Sequence, residues 1–261
     1  MKWRQMELGG VTGFVRGEAP WALFIHGFAG APWDWCRVLT QLGPQRPAAL
    51  IEIPGHGPQN RKPQGDWASI SRALGGWLDQ SSLSVGYSMG GRLLVGALSQ
   101  LDSPKHALVL GGHTGLELRE RDARRRWDLE QSSNLQNETM QEFRRRWGAL
   151  PLLKRSVLDS DEEVARLESG RGKLTVEGLA WAMRYLGSGS MPDVKEPLRT
   201  KPHRITWAAG EHDSKYIALG KELAQLSSHW SHELITGAGH ACHLDNAVSI
   251  AALIEALLVD A

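Results

Sequence analysis

Ser88 stands in Gly86-Tyr87-Ser88-Met89-Gly90, a G-x-S-x-G pattern between a short apolar run and an apolar helical stretch. Glycines two residues to either side permit a turn too sharp for bulkier residues, and such a turn lifts the hydroxyl to the carboxyl end of a strand. The same turn sets the Met89 N–H at a helix N-terminus, where the dipole favours developing negative charge. A serine hydroxyl is a weak base and a weak nucleophile until a histidine takes its proton and an acid orients that histidine. The chain order serine, acid, histidine belongs with such a turn. Asp213, in Ala209-Gly210-Glu211-His212-Asp213, and His240, in Gly237-Ala238-Gly239-His240, supply it. Glu211 competes with Asp213 and His243 with His240. The Gly-x-x-Asp spacing favours Asp213, and the preceding Gly-Ala-Gly favours His240 by allowing a tight turn. His26-Gly27-Phe28 closes the first long apolar run. That loop is expected to supply the Phe28 N–H as a second oxyanion donor beside Met89. His26 and His56, the latter in Gly55-His56-Gly57, read as structural.

These groups need strands that end at one edge. Apolar runs at Trp21–Ile25, Ala48–Ile53, Leu83–Val85 and His106–Leu110 read as strands buried on both faces. Helical stretches separate them: Trp33–Leu42, Asp66–Gln80 with Asp66 as N-cap, and Met89–Leu101. Strand–helix alternation implies a parallel sheet, whose carboxyl edge collects catalytic groups. From Leu116 to Gly187 no strong strand is predicted, and arginines recur between apolar residues. Strands return at Arg204–Ala209 and Glu233–Ile235, with helices at Lys215–Leu226 and Asn246–Val259. One α/β core (1–114 and 188–261) interrupted by a helical insertion (115–187) is the expected organisation. Trp3–Val15 reads as a hairpin turning at Gly9-Gly10.

Composition narrows the function classes. The 261 residues are 41% hydrophobic and 23% charged, a globular balance too apolar for a disordered chain. A net charge of +1 leaves no global basic field for nucleic acid. No apolar run approaches the roughly 20 residues that span a bilayer, and the N-terminus has no signal-peptide core. Two cysteines, Cys36 and Cys242, exclude a disulfide scaffold and lack metal spacing. A cytoplasmic protein with no metal and no organic cofactor is expected, a monomer with a dimer as the alternative. Arginine nevertheless outnumbers lysine more than two to one, so a local anion site is open.

The elbow, the order of its partners and His26-Gly27 together resemble the α/β-hydrolase superfamily, over Trp21 to Val259. Finer motifs resemble one family within it. They are Gly86-Tyr87-Ser88-Met89-Gly90-Gly91-Arg92, then Gly111-Gly112-His113-Thr114-Gly115-Leu116, then Gly210-Glu211-His212-Asp213-Ser214-Lys215-Tyr216. Together they are similar to the 2-succinyl-6-hydroxy-2,4-cyclohexadiene-1-carboxylate synthases, α/β-hydrolase-fold lyases of menaquinone biosynthesis. Two positions depart from that family's pattern: Thr114 and Ala247 stand where prolines are common.

The resemblance implies an α/β-hydrolase fold with a helical cap. It also implies elimination of pyruvate from 2-succinyl-5-enolpyruvyl-6-hydroxy-3-cyclohexene-1-carboxylate, a small substrate with several carboxylates. Tyr87, Arg92, Arg124, Trp147 and Arg171 would then contact substrate, with Arg121, Arg125 and Arg126 competing for the place of Arg124. Arg92 carries an argument of its own. It lies four residues after Ser88 on the same helix face, and a cation near a helix N-terminus is unfavourable unless an anion accompanies it. Ser88, activated by His240 and Asp213, would act as a general base. A serine esterase or thioesterase using Ser88 as acyl nucleophile is the alternative. A non-catalytic receptor would not need an aligned serine, histidine and acid.

Overall fold

The computed structural model describes residues 2–58, 65–154 and 160–259. Its centre is a single eight-stranded sheet in the order β1-β2-β4-β3-β5-β6-β7-β8. The chain enters through a hairpin, β1 (Arg4–Leu8) and β2 (Val11–Arg16), and β2 continues antiparallel onto β4 (Ala48–Ile51). The remaining strands run parallel: β3 (Trp21–Ile25), β5 (Ser81–Tyr87), β6 (His106–Leu110), β7 (Arg204–Gly210) and β8 (Trp230–Ile235).

Strand β3 explains why these runs lack polar alternation. Leu23 and Ile25 enter the core on one face, and Ala22 and Phe24 enter the core on the other. The period of two is present, but both faces are covered by helices. On one side lie α1 (Cys36–Gln41) and the C-terminal α11 (Ala247–Val259), which follows the short α10 (Cys242–Asp245). On the other lie α2 (Trp67–Asp79), α3 (Met89–Leu98) and α9 (Ser214–Ala224). Asp66 caps α2 as expected, its carboxylate accepting from the Ser69 N–H at 2.9 Å.

Between β6 and β7 the chain leaves the sheet for α4 (Leu118–Gln136), α5 (Met140–Gly148), α6 (Asp161–Arg171) and α7 (Val176–Leu186). It returns through α8 (Lys195–Arg199). This lobe has its own small core, including Leu135, Phe143 and Leu179, against which Phe28 and Trp147 pack. The lobe therefore sits over the loop that follows β3.

Several elements differ in extent from the sequence reading. The helix expected over Trp33–Leu42 is a 3-10 turn, Pro32–Trp35, followed by α1, because proline at the first position favours a tight start. Strand β5 runs beyond Leu83–Val85 at both ends. Its polar start is tied down by Ser81 and Ser84, whose hydroxyls lie 2.8 Å apart, a tertiary effect that apolar patterning does not report. Strand β8 begins three residues earlier than expected. It is the edge strand, paired among the described residues with β7 alone, and its buried residues are Trp230 and Ile235 at its two ends, so the apolar signal is weak between them. Among the described residues, no helix is long and apolar enough to cross a membrane.

Candidate active site

The parallel register places Ile25 beside Gly86 and Tyr87 beside Leu110, so the loops after β3, β5 and β6 emerge at one edge. Ser88 sits there at φ 50° and ψ −110°, a conformation that L-residues rarely adopt, and its N–H is held by the Leu110 carbonyl at 2.8 Å. His240 arrives from the loop after β8, and its Nε2 is 3.2 Å from Ser88 Oγ. On the far side of the ring, Nδ1 is 2.6 Å from Asp213 Oδ2. A buried carboxylate can only accept, so Nδ1 carries the proton and Nε2 accepts from the serine hydroxyl. Asp213 is itself fixed as the N-cap of α9, accepting from the Tyr216 N–H. The competing residues are engaged elsewhere. Glu211 accepts from the Gly237 N–H at 2.8 Å, and His243 packs its ring against Trp35 and Tyr87.

Sequence reasoning missed how His240 is flanked. Tyr216 lies 4.9 Å from its ring centroid and Tyr87 lies 5.3 Å away. Burial pushes both phenols above their ordinary pKa, so they remain neutral walls. Tyr216 closes the acid-loop motif Gly210–Tyr216, but only the pairing of β7 with β8 brings it to the histidine.

The oxyanion candidates come from two places. Met89 is the first residue of α3, so its N–H has no partner within the helix. Phe28 lies in a loop pressed onto the serine: a Cβ at Gly27 would stand 3.5 Å from Ser88 Cβ and 2.7 Å from the Tyr87 ring. Two imidazoles clamp this loop. His26 donates from Nδ1 to the Gly27 carbonyl at 2.7 Å and accepts from the Ile53 N–H at 3.2 Å. His56 accepts the Ala29 N–H at 3.0 Å, with Ala29 at φ 57°. The peptides on either side of Phe28 are thus both held. His26 and His56 are structural as read, but their place in this clamp was not visible in sequence.

Burial lowers His26 to a pKa of about 4 and His56 to about 3, from 6.5. Both are neutral when folded at pH 7. Below pH 6.5 the unfolded chain binds protons that the folded one refuses, so stability is full above that pH and falls as pH drops toward 4. The expected slope is about 1.4 kcal/mol per pH unit for each histidine. Burial also lowers His113 and His203, which act in the same direction. Urea unfolding of the wild type and of His56→Asn at pH 7.5 and pH 5 measures the effect. The variant retains an acceptor for Ala29 and should lose one histidine's share of the pH dependence.

The expected substrate contacts are placed unequally. Arg92 is buried, donates to the Leu186 carbonyl at 3.1 Å and lies over the Trp67 ring. No carboxylate pairs with it among the described residues. Burial, then the nearby Arg124, lower its pKa to about 10, and it stays cationic at neutral pH. Arg124 is one-third exposed and ion-paired to the buried Asp128 at 2.7 Å, yet its charge reaches Arg92, His113 and Tyr216. Of its competitors, Arg125 turns away to the Arg184 carbonyl and Ser190. Arg171 grips Asp34 through two nitrogens, the closer contact being 2.8 Å, while its charge is felt at Tyr87. Trp147 packs on Phe28 at 4.9 Å between centroids. His113, quoted in sequence without a role, accepts from the Gly115 N–H and faces Ser188.

Comparison with known proteins places the fold and the family. The alpha/beta hydrolase family model matches residues 22–253. A protein of Citrobacter koseri named 2-succinyl-6-hydroxy-2,4-cyclohexadiene-1-carboxylate synthase is 31% identical over 241 residues, covering 89% of this chain and 91% of that protein. One of Enterobacter sp. with the same name is 28% identical, covering 97% of each. Among solved structures, MenH from S. aureus superposes with a TM-score of 0.82 at 22% identity, over 99% of this chain and 98% of that one. A thermophilic esterase from Thermogutta terrifontis gives 0.70 at 14%, over 100% and 99%. At those identities the two structures speak for the fold alone. The chain belongs to the alpha/beta hydrolase family, in the branch of the 2-succinyl-6-hydroxy-2,4-cyclohexadiene-1-carboxylate synthases.

Proposed function

We propose that this protein is a carbon–oxygen lyase that eliminates pyruvate from 2-succinyl-5-enolpyruvyl-6-hydroxy-3-cyclohexene-1-carboxylate, forming the product for which its relatives are named. Ser88, Asp213 and His240 are the catalytic residues. Ser88 Oγ passes its proton to His240 Nε2 and takes a proton from the ring carbon activated by the succinyl ketone. The freed electron pair forms a double bond to the neighbouring ring carbon, the existing ring double bond shifts one position along, and the bond from the ring to the enolpyruvyl oxygen breaks. The departing enolate takes the proton held on His240 and becomes pyruvate, which leaves Ser88 with the ring proton and His240 neutral. The Phe28 and Met89 N–H groups hold the oxygen on which charge develops. The helical lobe, through Trp147 on Phe28, keeps water from the carbanion.

The observation that carries this reading is Arg92: a buried guanidinium with no carboxylate partner among the described residues, one helical turn from Ser88. A buried cation is costly unless paired, and a carboxylate-bearing substrate would pair it. Arg124 and Arg171 add positive charge from the lobe, and Tyr87 and Trp147 line the approach. A neutral ester offers Arg92 nothing.

Purified protein incubated with the pathway substrate and, separately, with p-nitrophenyl acetate tests the proposal. Pyruvate release followed by coupled oxidation of NADH is expected, with ester turnover negligible beside it. Arg92→Met should lower kcat/KM by about 10- to 100-fold, the worth of a hydrogen bond to a charged group. Fast ester turnover without pyruvate would make the protein a serine hydrolase instead.

A further inference from the structure

A cavity of about 390 Å³ lies at the seam between core and lobe. None of its lining residues is gathered around Ser88. Trp33 and Gly170 face it, while the next residues along each segment, Asp34 and Arg171, join in the ion pair described above. Its volume is in the range that holds small molecules.

Three features define what would fit. The floor carries Glu52, a residue only 5% exposed. Its Oε1 is buried with no hydrogen-bond partner, and burial pushes its pKa up against the pull of Lys173. A buried carboxyl short of donors is unfavourable, and a ligand N–H meeting the carboxyl from the cavity, at the oxygen other than the enclosed Oε1, would offset that cost. The rim carries Lys173, which is exposed and forms no salt bridge among the described residues, its charge acting on Glu52 without direct contact. Arg166, the other cation at the rim, is already held by Glu163 and by the Trp33 carbonyl. One wall is aromatic, formed by Phe14 and Trp33 with ring centroids 5.3 Å apart.

An anion alone would meet Glu52, and a cation alone would meet Lys173. We infer that this cavity binds a small zwitterion with an apolar body, of the chemical class of the aromatic amino acids. The ammonium donates to Glu52, the ring lies against Phe14 and Trp33, and the carboxylate faces Lys173. His56 also lines the cavity, so a ligand there abuts the residue that holds Ala29 beside the oxyanion loop.

L-Phenylalanine is the probe, with 2-phenylethylamine and 3-phenylpropanoate as truncations that each lack one charge. Saturation-transfer NMR and calorimetric titration on the full chain should show L-phenylalanine binding about tenfold or more tightly than either truncation. Glu52→Gln and Lys173→Met should each weaken it by a similar factor, as loss of a charged hydrogen bond implies. Unfolding midpoints verify that the variants are folded, and the truncation series needs no variant at all. No transfer to L-phenylalanine at about 10 mM, tenfold above a millimolar Kd, would overturn the inference. So would undiminished binding to Glu52→Gln, or a truncated ligand binding as well as the whole one.

Discussion

Ser88→Ala is expected to lower kcat for pyruvate release by roughly 10³- to 10⁴-fold while leaving the fold intact. The expected loss is the upper end of what a positioned proton acceptor contributes. The Oγ that is removed is the atom 3.2 Å from His240 Nε2 and the base of the proposed elimination. KM should change little, because the groups expected to hold the substrate's carboxylates are elsewhere. Stability provides an independent check. Ser88 is held at φ 50°, where a side chain is strained by about 1–3 kcal/mol. Ser88→Gly should therefore be as inactive as Ser88→Ala and have a higher unfolding midpoint than either alanine variant or wild type. The measurement is single-turnover pyruvate release beside thermal unfolding. An alanine variant retaining a tenth of the wild-type rate would remove Ser88 as the base. A covalent adduct on Ser88, trapped by acid quench and seen by mass spectrometry, would favour the acyl-nucleophile mechanism.

Gly90→Ala should be among the most destabilising single-methyl additions in the molecule, at roughly 3–5 kcal/mol. A Cβ there would lie 2.4 Å from the carbonyl oxygens of both Ile25 and His26. Both obstacles are backbone, at the end of a central strand that pairs on both sides, so neither can swing away as a side chain would. Relief requires α3 to withdraw from β3, which would also open the space between the Met89 and Phe28 N–H groups. Activity should therefore fall with stability, even in the fraction that folds. Gly76→Ala in α2 is the control. Its nearest neighbour is Leu8 Cβ at 4.0 Å, so the substitution should be neutral or stabilise by about 0.5–1 kcal/mol through helix propensity. Urea unfolding midpoints of the two variants at pH 7.5 settle the comparison. A Gly90→Ala protein as stable as wild type would mean that α3 is free to move relative to β3.

Much of the edge that carries Ser88 was readable from one-dimensional pattern. Strands covered on both faces give continuous apolar runs, and a parallel sheet with short loops admits few arrangements, so a serine, an acid and a histidine placed after three such runs must share an edge. The arginines show where that logic stops. Arg124 with Asp128 was open to notice, because residues four apart meet on a helix. Arg171 with Asp34 was not: the two are 137 residues apart, one on the lobe and one after β3. Nothing local marks an arginine as already paired. The clamp on Phe28 escaped for the same reason, since it depends on His56 reaching across to Ala29 from the loop after another strand.

The chain's own order of residues determined the sheet, the strained turn at Ser88 and the identity of its hydrogen-bonded partners, because each is set by local spacing or by strand succession. Tertiary structure alone decided which cations are buried, which are already neutralised and which polar atoms are left without partners. Desolvation and ion pairing are properties of the assembled surroundings. Arg92 and Arg171 are the same residue type in similar glycine-rich contexts, yet one is enclosed with no carboxylate partner among the described residues and the other grips Asp34.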